Sequence, residues 1–387
     1  MRTLESAELR LVGHSDLNGS GDGMQVMRSG DALYVGHLGM SSVGTTVLDV
    51  ADVTKPKVVK QFASAAGSHS HKVQAAEGKL LVNEERFRGG SPFSAGLIVY
   101  DISDPFAPER IGYFDSGGEG IHRIVWTGGR YAYMSAIPED FRDRMFLVVD
   151  LADPDRPRET GRWWWPGTRR GEDGSAIPEG RRYAAHHALL DGATGYLAYG
   201  DAGMVVLDLA DPSAPHRLGG LDWRPGGDTH TCLPLPSRSL VVVTDEAVRD
   251  RCAEEKKLVR LVDVTDPSSP RIVSAFPVPQ GDYCARGLRF GPHNLHENRP
   301  HSYVSERIVF VTYFNAGLRV YDIADPAQPK EIAHWVPEAA PGEPATQIND
   351  LYVDVDGTIF VTDRVGGGLF VLRPEDDLLE MMEQARS

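Results

Sequence analysis

Five histidines of this chain, His71, His122, His187, His230 and His293, occupy one position of a repeated unit: the start of its first strand, when the units are aligned on their second strands. The two remaining units carry Met24 and either Asn349 or Asp350 there. The chain holds only 13 histidines, so random placement does not account for five at one position. Imidazole nitrogen is a good ligand for iron, copper, zinc, nickel or cobalt, and histidines converging from a rigid scaffold leave coordination positions open for substrate. A second column, at the ends of the second strands, reads His37, Glu84, Ala136, Asp201, Asp245, Tyr313 and Asp363. Its carboxylates Glu84, Asp201, Asp245 and Asp363 are candidates to accept the second ring N–H of ligand histidines, fixing their tautomer, or to act as general bases.

These residues are placed by a repeat. A motif close to hydrophobic-Asp-x-x-Asp-Pro-x-x-Pro occurs six times, beginning at Leu48 (where Val53 replaces the first Pro), Tyr100, Val149, Leu207, Val262 and Tyr321. A degenerate seventh copy begins at Gly368, with Arg373 in place of the first Asp. Successive first Asp residues lie 49 to 59 positions apart, which is propeller-blade size. The stretch from Gly291 to Trp335 reads as one full blade of four short antiparallel strands, in which Asp and Pro build the turn between the third and fourth. Fourth strands follow the first six motifs, and the seventh runs instead into a helical tail, Pro374 to Ala385. The missing outer strand is at the other end: Glu8 to His14 matches the fourth-strand pattern and is expected to close the ring, removing sheet edges. The expectation is an all-β, closed seven-bladed β-propeller, a single domain over residues 1–387 whose N-terminal strand completes the C-terminal blade.

The repeated strand and turn, YDISDP at Tyr100 and its copies, resemble the LVIVD-repeat family of β-propellers over nearly the whole chain. The DISDP-like turns are more loosely similar to those of the selenium-binding protein and methanethiol oxidase family, a likeness that implies copper. By architecture alone the histidine column is similar to carotenoid-cleavage oxygenases, where four propeller histidines hold iron. These resemblances imply a fold and a class of metal, and the reaction has to be argued from the site.

His71, His122, His187, His230 and His293 are therefore the expected metal ligands, and His69, His186 and His296, one to three residues away, the expected hydrogen-bonded or outer neighbours. The opposing reading is a structural histidine repeated by duplication. Against it, the Asp of each turn ends the third strand on the opposite face and is out of reach. The turns themselves are read as structural, because one or two carboxylates fall short of the oxygens calcium requires. Two long connections, Trp163 to Ala185 and Val278 to Pro292, are expected to border the site, with Tyr313, Trp164 and Arg286 as substrate-binding candidates.

The formal net charge of −15 argues against nucleic acid or an anionic membrane as partner. Neither a membrane span nor a signal peptide is read, which places the chain in the cytoplasm. Cys232, Cys252 and Cys284 form no CxxC pair and are odd in number, so no disulfide is expected. The sequence thus predicts one divalent metal ion, Fe(II) first and Zn, Mn or Cu as alternatives, in an oxidoreductase or oxygenase acting on a small organic molecule. A redox-neutral lyase, hydrolase or isomerase and a non-enzymatic scaffold are the competing functions. Oligomeric state is not read.

Overall fold

A computed structural model describes residues 2–86, 93–224 and 226–387. Their strands assemble into seven sheets arranged as the blades of a closed β-propeller. Blade 1 has the plain form: Gly23–Ser29, Ala32–His37, Val43–Asp49 and Lys57–Ala63, each antiparallel to the next, from the channel outward. The second and third strands of the blades are almost wholly buried and rich in β-branched residues, as expected of sheets packed face to face around a ring.

The aspartate motif does the structural work its composition suggests. Its first Asp ends the third strand and accepts the amide two residues on, as in Asp101 with Ser103 N at 2.8 Å; its second does the same, as in Asp104 with Phe106 N at 3.0 Å. The turn then docks on the preceding blade. A Cβ on Gly161, in an outer strand, would stand 2.1 Å from the carbonyl oxygen of Pro212, in the next turn. Gly112 meets Pro154 and Gly13 meets Val53 in the same way. The outer-strand glycine and the turn that follows it are two halves of one joint between blades.

The ring closes at its seam as expected. Leu9–Ser15 pairs antiparallel with Gly368–Pro374, Leu9 opposite Pro374 and His14 opposite Phe370. An additional strand was not foreseen: Thr3–Ala7 pairs with the outer strand of blade 6, Lys330–Pro337, and Glu8, at φ 59°, turns the chain from one blade to the next. The tail forms a helix, Asp376–Gln384, anchored by buried Leu378 and Met382.

Two expectations need correction. The first strand of blade 6 is reduced to an isolated bridge between Leu295 and Val311, because the segment after it folds inward across the end of the channel. Cys252 and Cys284 are joined in a disulfide, since the loop between the second and third strands of blade 5 and the Val278–Pro292 connection meet in space; Cys232 is a buried free thiol.

Candidate metal centre at the channel mouth

Each first strand aims its channel residue through an irregularity. In blades 3, 5 and 7 the pairing skips one residue, between Ile121 and Arg123, Thr229 and Thr231, and Ile348 and Asp350. The residues left unpaired are His122, His230 and Asn349. A bulge of this kind re-aims a side chain. In blades 2, 4 and 6 the same position precedes the regular strand and is held by single hydrogen bonds, such as His186 N to Ala198 O at 2.9 Å and His293 N to Thr312 O at 2.9 Å. The equivalent residues are thus His71, His122, His186, His230, His293 and Asn349. In blade 4 the ring member is His186, not His187.

The rings follow one another around the mouth. Centroids are 4.8 Å apart from His71 to His122, 5.1 Å from His122 to His186, 3.9 Å from His186 to His230 and 4.1 Å from His230 to His293. His69 adds a sixth imidazole, 3.6 Å from His71. Nδ1 is engaged in each ring position: His186 with His230 O at 2.8 Å, His293 with Asn349 O at 2.7 Å, His230 with Thr231 Oγ1 at 3.0 Å, His122 with Glu85 at 2.8 Å, and His71 with His69 O at 3.3 Å. A proton held at Nδ1 leaves the Nε2 lone pair for the channel, the arrangement a metal-binding histidine needs. Burial pushes His71, His122, His186, His230 and His293 well below the ordinary imidazole range, and nearby cations push the same way. They are neutral near pH 7, the ligating form.

Among the described residues, two groups converge enough to hold an ion. His230, His293 and Glu246 offer ligand atoms within 4.8 Å of one another, as do His69, His71 and Glu85. Glu246 lies 3.9 Å from His230 Nε2 and 3.7 Å from His293 Nε2, too long for hydrogen bonds. Two ligands that share one ion at ordinary bond lengths lie about 3 to 3.5 Å apart, so a contraction of a few tenths of an ångström would seat one. Glu246 also takes Arg289 Nη1 at 3.0 Å. Phe314, 4.6 Å from the ring of His293, walls this side, with the guanidinium groups of Arg289 and Arg364 over its faces at 5.7 and 5.9 Å. Its φ of 45° is unusual for a bulky residue and marks backbone strain at the site.

The carboxylate column is displaced by one residue. Asp245 is turned toward its own sheet, accepting Trp223 Nε1 at 2.9 Å and Arg260 Nη1 at 2.5 Å, and it is the next residue, Glu246, that faces the mouth. Glu84 has Arg110 and Tyr113 as its neighbours, and Glu85 reaches the histidines. Asp363 caps a loop through Thr346 and the amides of Gln347 and Val365, and Arg364 points to Phe314. Tyr313 is packed in the core against Phe290, and Phe314 touches His293. Asp201 accepts Arg182 N at 2.7 Å and His37 is closed between Asp22 and Thr46, both at 2.7 Å. The reason is the pleat: side chains alternate, so a slip of one residue exchanges the two faces.

The long connections do less than expected. Trp164 donates to Glu172 at 3.0 Å within its own loop and meets Phe141 of the neighbouring hairpin edge-on, and Arg286 pairs with Glu5 against Tyr283. Arg289, in the Val278–Pro292 connection, does reach the site, through Glu246. Arg144, from the second hairpin of blade 3, was not anticipated; its charge acts on His122, His186 and Glu85.

His187 belongs to a layer below. Its Nε2 lies 3.3 Å from Glu297, which also accepts Arg123 at 3.1 Å and Arg299 at 3.0 Å. Burial opposes charge on both partners; Arg299 and Arg123 help to hold Glu297 below the usual carboxylate range, while His187 is pushed down to about 4 and is neutral. Arg299 donates to Trp126 O at 2.5 Å, so this segment plugs the end of the channel opposite the histidines. His296 fastens the plug, with Nε2 donating to Tyr303 O at 2.7 Å and Nδ1 accepting Val353 N at 3.3 Å.

The LVIVD repeat family matches residues 192–221 and 303–335, the second to outer strands of blades 4 and 6. The chain carries LVIVD repeats on a seven-bladed β-propeller. No curated protein matches the chain. Among solved structures, the computationally designed Ika8 protein is similar over 96% of this chain and 99% of its own, with a TM-score of 0.52 and 10% identity, a likeness of fold alone. The LVIVD-repeat propeller thus presents His/Glu groups able to hold a metal ion at one mouth of its channel, and a plugged opposite end. Among the described residues no helix is long and apolar enough to cross a membrane.

Proposed function

We propose that this propeller is a metal-dependent enzyme whose divalent ion is held by His230, His293 and Glu246. The observation that carries this is the convergence of their three ligand atoms, with Nδ1 of both rings already engaged and an arginine beside the carboxylate. Two imidazoles and one carboxylate with open positions favour Fe(II) and oxygen chemistry; Zn, Mn or Cu would suit the same donors less specifically. When bound, such an ion supplies an electrophilic centre at which oxygen or a substrate oxygen is activated. The protein's own residues do the rest. Phe314 offers an apolar wall, Arg289, Arg364 and Arg144 attract an anionic or strongly polar group on a small organic substrate, and the plug at Arg299 keeps the channel closed from the far side.

A redox-neutral reaction is the second reading, favoured by the position of Glu246 between Arg289 and two neutral imidazoles, where a carboxylate can also handle a proton. The scaffold reading has the histidines holding the ring together, as His186 and His293 do through bonds from Nδ1 to a carbonyl of the next blade. The test is metal analysis of protein purified without a metal-affinity column, beside a His230→Ala/His293→Ala variant, followed by anaerobic Fe(II) loading and exposure to nitric oxide. Metal lost in the variant, with an iron–nitrosyl EPR signal in the parent, supports the oxygen reading. Full activity on Zn alone selects the redox-neutral one. No metal after reconstitution returns the histidines to structure.

A further inference from the structure

The second convergent group lies across the mouth and shares no residue with the first. His69 and Glu85 sit opposite each other on a two-residue ladder, Ser68–His69 against Glu85–Arg86, and Glu85 pairs in turn with Gly120, so the ladder extends the sheet of blade 3 inward. Gly120 makes this approach possible: at φ 101°, a Cβ there would stand 2.3 Å from Glu84 O. A two-residue ladder adds little pairing energy. What it does is bring two further ligand groups, His69 and Glu85, to His71.

His69, His71 and Glu85 are 5%, 1% and 8% exposed, and their ligand atoms lie within 4.8 Å of one another. His71 Nε2 is buried without a hydrogen-bond partner. A buried ring nitrogen left in that state costs free energy unless something takes its lone pair. Asn83 holds the ring from the other side, with its amide 3.2 Å from Nδ1 and hydrogen-bonded to His69 O and Ile121 O. Glu85 is bonded to His122 Nδ1 through both oxygens, the outer partner a metal-bound carboxylate commonly has.

One ion cannot serve both groups. Ligand bonds of about 2.0 to 2.2 Å reach only atoms that nearly touch, and the imidazoles of His122 and His186 stand between His71 and His230. We infer that the mouth holds a second divalent transition-metal ion, bound by His69, His71 and Glu85, in addition to the one proposed at His230, His293 and Glu246. Two imidazoles and a single carboxylate select the Zn, Fe, Mn or Co class over calcium or magnesium. Deeper burial of this group, with the Glu85 side chain 11% exposed against 20% for Glu246, makes it the slower of the two to exchange.

The inference shares the channel with the proposed function, and the experiment separates them. Chelator-stripped protein reloaded with Co(II) is assayed by elemental analysis and visible absorption, in the parent and in His69→Gln/Glu85→Gln and His293→Gln/Glu246→Gln variants checked for folding by circular dichroism. The expected result is about two equivalents per chain in the parent and about one in each variant, with the two variants losing different absorption bands. One equivalent in the parent, lost only in the His293/Glu246 variant, overturns the second site and leaves the proposed function standing. One equivalent lost in both variants overturns it in favour of a shared ion, and none in the parent overturns both. Anomalous diffraction from parent crystals soaked in Co(II) locates the ions without substitution: a peak at His71 is required even if a variant fails to fold.

Discussion

His186 and His230 are joined across a blade boundary: the Nδ1–H of His186 donates to the main-chain carbonyl of His230 at 2.8 Å, and the two rings lie 3.9 Å apart. Its neighbour in sequence, His187, lies instead 3.3 Å from Glu297 in the layer beneath. The two histidines should therefore fail differently. His186→Ala removes a support of the His230 backbone and should weaken metal binding about tenfold or more, at about 1 kcal/mol of stability. His187→Ala should leave metal affinity unchanged and cost about 2 to 3 kcal/mol, since Glu297 loses a buried partner. Chelator competition and urea unfolding read the two effects.

The joints between blades should be sterically unforgiving. Gly161→Val places a branched side chain where the Pro212 carbonyl stands 2.1 Å from the Cβ position, with main chain on both sides and no flexible group to yield. A loss of about 1 to 3 kcal/mol is expected, seen as a lower midpoint in thermal unfolding. The same substitution at Gly180, with nothing within 4 Å of its Cβ position, adds no such clash, though its φ of 74° adds backbone strain.

Acid should loosen the plug. Burial pushes His296 down to about 4, and its two ring nitrogens are engaged as those of a neutral imidazole, one donating and one accepting. Above the ordinary pKa of about 6.5 both folded and unfolded chains leave it neutral, so its contribution is complete. As pH falls from about 6.5 toward 4 the unfolded chain takes a proton the folded one refuses, and up to about 3 kcal/mol is lost. Urea midpoints measured between pH 7.5 and 4.5 should fall less steeply in His296→Gln, which keeps one donor and one acceptor but does not titrate.

The disulfide carries a prediction about the chain and about its surroundings. Cys252 and Cys284 are 32 residues apart, and closing a loop of that length stabilises a fold by about 2 to 4 kcal/mol. Cys284→Ser should lower the denaturant midpoint accordingly, and reducing agent should do the same to the parent while leaving the variant unchanged. In protein taken directly from cells, thiol titration after denaturation should find only Cys232 if the compartment is oxidising, and three thiols if the cytoplasmic placement read from the sequence holds.

The sequence by itself determined the ring. Six copies of the Asp-x-x-Asp turn, their spacing, the apolar second and third strands and the unclaimed strand before His14 were sufficient for seven blades and for the seam that Leu9–Ser15 closes. That is possible because blade geometry is set by local alternation and turn chemistry, which repeat. His71, His122, His230 and His293 were legible in the same way, as one repeated position.

Only the tertiary structure decided which neighbour faces the mouth. Glu85, Glu246, Phe314, Arg364 and His186 each lie one residue from the position the sequence pointed to, because bulges and broken strands at the channel shift the alternation by one, and the pairing that creates a bulge cannot be read from either strand alone. His69 and Glu85 meet through a ladder two residues long, and Glu297 and Arg299 enter from a segment with no repeat. Contacts of that kind are unique to one place in the fold, so repetition carries no trace of them.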